Sequence, residues 1–170
     1  MTMSMYGASI PLFVRAMRNL AHVLDVGATH VQAQGGTADS LLDLRLVADM
    51  LPLSRQVQIA TDMAKNGAAR LAGEVPVAIA DDETTYAQLQ ARIARVIGIC
   101  EGFDADRIDG SESRSITLKT TAAGEMTFDG ASYLTTFVLP NLYFHITMTY
   151  AVLRMAGVPL GKLDYTGAQR

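Results

Sequence analysis

Ile10, Phe13, Val14, Met17, Ala21, Leu24, Ala28 and Val31 recur at three- and four-residue steps, a spacing that puts them on one face of a helix over about residues 9–34. Pro11 suits its first turn, and Gly35-Gly36 ends it. A connecting stretch, 37–51, has room for a short helix around 40–44. Pro52 then opens a second helix whose apolar face is Leu53, Val57, Ala60, Ala64, Ala68 and Leu71, closed by Gly73 and Pro76. A third follows Asp81-Asp82-Glu83, charges that favour an N-terminal turn. It buries Tyr86, Leu89, Ile93, Val96, Ile97 and Cys100 and leaves Arg92 and Arg95 on its wet side. Between 114 and 128 the period falls to two. Ile116 and Leu118 on one arm and Met126 and Phe128 on the other predict a small hairpin turning at Thr121-Ala-Ala-Gly124. The last helix starts after Asp129, a good N-cap, and runs to Met155, where Gly157 and Pro159 stop it. Pro140 within it removes one backbone donor and predicts a bend.

Four long amphipathic segments joined by moderate connections predict an all-α four-helix bundle, with a small β-hairpin inserted before the last helix. The 170 residues are the size of a single domain, 1–170, and carry no internal repeat. The tail after Gly161 has little to anchor it and is expected to be loosely held. An apolar share of 49% with 18% charge excludes a disordered chain. The net charge of -3 offers no basic face for nucleic acid. A single cysteine and the lack of a basic cluster ahead of an apolar run point to a reducing compartment, the cytoplasm. One segment needs separate thought, because 130–153 holds no Asp, Glu, Lys or Arg and could cross a hydrocarbon core. Pro140, Asn141, His145 and four threonines inside it favour a central helix covered by protein, not a membrane span.

On a wheel set at Leu134, one narrow stripe collects Leu134, Phe137, Val138, Asn141, His145, Met148 and Val152. Asn141 and His145 are one turn apart, so their polar ends can converge on one atom, as paired helical ligands do. Asparagine is a poor donor to zinc, nickel or copper, which prefer imidazole or thiolate. Two readings follow. One is a ligand pair at the floor of a pocket; the other is a buried histidine bonded to a neighbour or to the carbonyl that Pro140 frees. Gln56, at the edge of the second helix's apolar face, could reach the same interior, while Arg55, Gln58, Asp62 and Lys65 gather opposite, on the face expected in water. His22 and His30 fall off the core stripe of the first helix. Cys100 lies on a core stripe and is expected to be an inert thiol. Tyr143, Ile146, Tyr150 and Leu153 form an apolar outer side of the last helix, which something should cover.

The opening Ser4-Met-Tyr-Gly-Ala-Ser-Ile-Pro11, the block from Asp49 to Asp62, and the run from Leu139-Pro-Asn-Leu-Tyr-Phe-His145 to Gly157-Val-Pro-Leu-Gly-Lys162 resemble a bacterial family of unknown function, DUF1993. Through it, nearly the whole chain is similar to the DinB/YfiT-like metalloenzyme superfamily. That resemblance implies a bundle often found as a dimer, a divalent metal held by three histidines, and in some members thiol-dependent transfer or isomerisation. Arg154 and Gly157 look like the family's markers after a His-x-x-x-His pair, which places His145 on the second histidine and Asn141 on the first. The second-helix histidine corresponds to Gln56, or to Gln58 if the alignment shifts. Only one ligand of three is kept. The expectation is therefore a DinB-like bundle, a homodimer without nucleic-acid or membrane partners, that binds a small ligand at Gln56, Asn141 and His145. His145 is its remaining ligand for zinc or nickel. The alternative is a metal- or thiol-dependent transferase or isomerase that works through His145.

Overall fold

The structure is a computed structural model and describes residues 3–120 and 124–167. Helix α1 spans Ile10–Ala33, α2 Leu53–Leu71 and α3 Tyr86–Glu101, followed by a single turn, α4, at Ala105–Ile108. Strands β1 (Ile116–Thr120) and β2 (Gly124–Phe128) form an antiparallel hairpin that pairs Leu118 with Met126. The expected turn at 121–123 lies outside the described residues. The last long helix is built in three pieces: α5 (Gly130–Ser132), a wide-turn segment Tyr133–Val138, and α6 (Leu139–Met155). A short helix, α7, follows at Lys162–Thr166.

The four long helices pack in the cyclic order α1, α3, α2, α6, so each buries one stripe. Phe13, Met17, Leu20, Leu24, Val57, Ala60, Leu89, Ile93, Val96, Leu142 and Leu153 are all fully buried. This is the predicted all-α bundle with its inserted hairpin. Among the described residues, no helix is long and apolar enough to cross a membrane.

Four local features depart from the pattern. First, α3 begins five residues after the start of the acidic run, under a capping box: the Gln88 N–H donates to the Thr85 hydroxyl, and the Thr85 N–H to Gln88 Oε1. Asp81, Asp82 and Glu83 therefore lie in the preceding loop. Second, Arg92 is 3% exposed, not on a wet face. Third, the tail is docked over its described residues, through 167. His22 Nε2 lies 2.9 Å from Asp164, Asn19 donates to the Tyr165 carbonyl at 3.1 Å, and Arg15 donates to that of Thr166 at 2.9 Å.

The fourth is the phase of the last helix. The Leu139 N–H bonds the Leu134 carbonyl five residues back, a π-type turn that needs one residue more than an α-turn. Every later side chain is rotated accordingly. In α6 the buried positions are Leu142, Ile146, Thr149, Val152 and Leu153, while Asn141, His145 and Met148 sit half-buried on the flank. Pro140 falls in the first turn of α6, where its missing donor is tolerated. The outer apolar face is covered within the chain except at Tyr143, which stays 39% exposed. Ile146 is 2% and Leu153 0% exposed, Leu153 packs at Gly27 of α1, and Tyr150 meets the Tyr165 ring of α7.

Candidate functional site

Gln56 and His145 meet across the contact between α2 and α6. Gln56, 2% exposed, sits on the first turn of α2, and its Nε2 donates to the Leu51 carbonyl at 3.2 Å. That bond fixes the carboxamide, since its oxygen cannot face another carbonyl. Oε1 is consequently turned to His145 Nδ1, 2.8 Å away, and an amide oxygen can only accept. His145 therefore carries its proton on Nδ1 and keeps an acceptor lone pair on Nε2. Burial pushes the imidazole pKa below 6.5, which favours the neutral ring at neutral pH. The result is a relay: backbone carbonyl, carboxamide, imidazole, lone pair.

Asn141 does not join it. Its Nδ2 donates to the Phe137 carbonyl, one turn back in the same long helix, at 2.7 Å. Its oxygen is the group left to face a ligand. Gln58 is excluded from the site: it is 3% exposed but turned the other way, donating to Glu83 at 2.8 Å and accepting from Arg55 at 2.6 Å. Apolar surface flanks the relay. Phe144, 53% exposed, sets its ring edge-on to His145 with centroids 5.1 Å apart, and Leu51 is also exposed.

The pattern of residue types concealed a second polar centre. Gln58, Asp62 and Lys65 of α2 were placed in water, yet the loop carrying Asp81 and Glu83 folds over them. Arg92 of α3 donates to Thr61 at 2.7 Å and the Ala80 carbonyl at 2.8 Å, and it pairs with Asp62, Asp81 and Glu83 at 2.9 to 3.0 Å. Lys65, 3% exposed, donates to the Val77 carbonyl at 2.8 Å. The signal was the acidic triplet itself, too far from the helix start to cap it. Cys100 is buried on the core stripe, as its position in α3 predicts. Burial and then the neighbouring Glu101 push the Cys100 thiol up to about 12, so it is not a nucleophile at neutral pH.

The model of a family described as a domain of unknown function, DUF1993, matches residues 5–166. The chain belongs to the DUF1993 family. A crystal structure of a DinB family member protein from Shewanella denitrificans is similar over 96% of this chain and 92% of that one, at 37% identity and a TM-score of 0.85. None of the curated proteins matches this chain. The DinB-like fold of this DUF1993 member is thereby shown.

A divalent metal does not fit the donors present. One imidazole faces the site, the Gln56 oxygen is taken up by its Nδ1–H, and the Asn141 carboxamide would offer a hard, neutral oxygen where zinc and nickel favour nitrogen or sulfur. Among the described residues, no three of His, Cys, Asp or Glu are gathered to hold an ion.

His145→Ala is expected to cost about 1 kcal/mol, the value of a partly wet hydrogen bond plus a stranded Gln56 oxygen. A folded pKa below the unfolded one gives stability that is full above pH 6.5 and falls as the pH drops through it. Urea midpoints at pH 8 and pH 5.5 check both. The gap between the natural chain and His145→Ala should narrow at the lower pH.

Proposed function

We propose that this DUF1993 protein binds a small molecule bearing an O–H or N–H donor at the Gln56 and His145 pair, in the place where DinB-like proteins hold a metal. The observation that carries the reading is the 2.8 Å Gln56 to His145 bond, which aims a neutral Nε2 lone pair away from the pair. The Asn141 oxygen is the second polar group available to a ligand, and the exposed Phe144 and Leu51 supply apolar surface beside it.

A second reading rests on the same relay. An imidazole oriented by a fixed acceptor on Nδ1 and kept neutral is also the arrangement of a general base. His145 would then draw a proton from the bound group in a transferase- or isomerase-type reaction, without a zinc or nickel cofactor. A cytoplasmic homodimer is part of the proposal. The exposed Phe144, Leu51 and Val47, with the exposed Tyr143 of α6, are the support for a second subunit.

The test is a saturation-transfer NMR screen of small alcohols and phenols, each beside its methyl ether, on protein purified without an affinity tag. Hydroxyl compounds that bind the natural chain, but neither His145→Ala nor as the ethers, would support the reading. Stoichiometric zinc or nickel in the natural chain, lost in His145→Ala, would overturn it in favour of a metalloenzyme.

A further inference from the structure

We propose that the cavity between α1, α6 and α7 is a binding site for a small monocarboxylate with a flat, apolar body. It lies on the opposite flank of α6 from His145 and is independent of the site above. The cavity has a volume of about 280 Å³, at the lower edge of ligand pockets and suited to a single ring. Its floor is apolar: Ala16 and Ile146 are 4% and 2% exposed, and Leu12 extends it. Tyr143 and Tyr165 stand in its wall. The Tyr165 ring is fixed, with its hydroxyl 2.9 Å from Thr147 Oγ1 and its edge against Tyr150 at a centroid distance of 5.8 Å.

Arg15 is the one charged side chain among the residues lining the cavity. A guanidinium carries five N–H donors, and Arg15 directs one nitrogen to the Thr166 carbonyl. The rest of its planar fork can take a carboxylate in two parallel bonds. Burial, and after it the neighbouring Tyr165, raises the Tyr143 pKa, so the phenol stays neutral beside an anion and can donate to it. Cation, donor, apolar floor and aromatic wall together select an acid with a flat body over a polar or branched one.

Amide NMR titration of the full chain with benzoate and with benzamide tests this. Benzoate is expected to shift the amides around Arg15, Ile146 and Tyr165, with benzamide roughly tenfold weaker, the difference a charge-assisted pair makes. Arg15→Gln keeps a donor for the Thr166 carbonyl and should abolish the preference. Ala16→Leu keeps the cation, fills the floor and should abolish binding. His145→Ala should leave the benzoate titration unchanged, which separates this cavity from the Gln56 and His145 pair. No shift at these amides, equal binding of benzamide, or a preference that survives Arg15→Gln would overturn the proposal.

Discussion

Arg92→Ala is expected to destabilise the protein by about 3 kcal/mol, read as a lower urea midpoint, while Arg95→Ala changes it by less than about 0.5 kcal/mol. The side chain is 1% exposed and serves six acceptors from two parts of the chain: the Gln58 carbonyl, Thr61 and Asp62 on α2, and the Ala80 carbonyl, Asp81 and Glu83 in the loop before α3. Removing one partner of a buried ion pair costs about 3 to 5 kcal/mol, because the remaining charge is stranded. The low end applies here. Asp62 and Asp81 keep 31% and 35% of their side chains in water and can rehydrate, whereas Glu83, at 8%, cannot. Arg92→Met should cost nearly as much, since filling the volume leaves Glu83 unpaired.

The same cluster sets an acid limit. Burial raises the Asp81 carboxyl, but the Arg55 hydrogen bond and the charges of Arg92 and Arg55 outweigh it and hold the group below 3.8. A carboxylate depressed in the folded state contributes stability that is full above its unfolded value and lost as the pH falls through the folded one. The cost of Asp81→Asn is therefore expected to be constant from pH 7 to pH 5 and to shrink below about pH 4.

Gly130→Ala is expected to cost about 2 to 3 kcal/mol. Gly130 opens the last helix directly against Ser111, and a Cβ there would stand 1.9 Å from the Ser111 carbonyl oxygen. That neighbour is backbone and cannot swing aside. It is also tied in place, because Arg114 donates to the Ser111 carbonyl and the Ala131 N–H bonds that of Glu112. Overpacking of this kind costs about 1 to 3 kcal/mol and more where nothing yields, against about 1 kcal/mol that alanine returns in helix propensity. The thermal midpoint should fall accordingly. Gly98→Ala, on the exposed face of α3 with open space at its Cβ, should raise it slightly.

The bundle was legible because its signals are local. The three- and four-residue periods of α1, α2 and α3, the proline and glycine stops, and the two-residue period of 116–128 each depend on neighbours in sequence alone. The meeting of Gln56 with His145 was legible for two reasons: Gln56 stands at the edge of the apolar face of α2, within reach of the interior, and the family resemblance sets it, or Gln58, among the ligand positions with His145. Two things were hidden. The wide turn at Tyr133–Val138 shifts the phase of α6, so a uniform wheel put Asn141 and His145 in the core and Ile146 and Leu153 outside it. The burial of Arg92, Lys65 and Gln58 depends on a loop folding back over α2 and α3. A wheel sees one helix and cannot show what a distant loop covers.

The proposed site rests on a neutral His145 imidazole held by its hydrogen bond to Gln56. A long-range proton–nitrogen NMR spectrum of His145, recorded before and after one equivalent of zinc, tests it most directly. The account predicts a neutral ring protonated on Nδ1, a titration midpoint below 6.5, and no change with zinc. A His145 Nε2 resonance that shifts in step with one zinc per chain, the Nδ1–H still donated to Gln56, would contradict it.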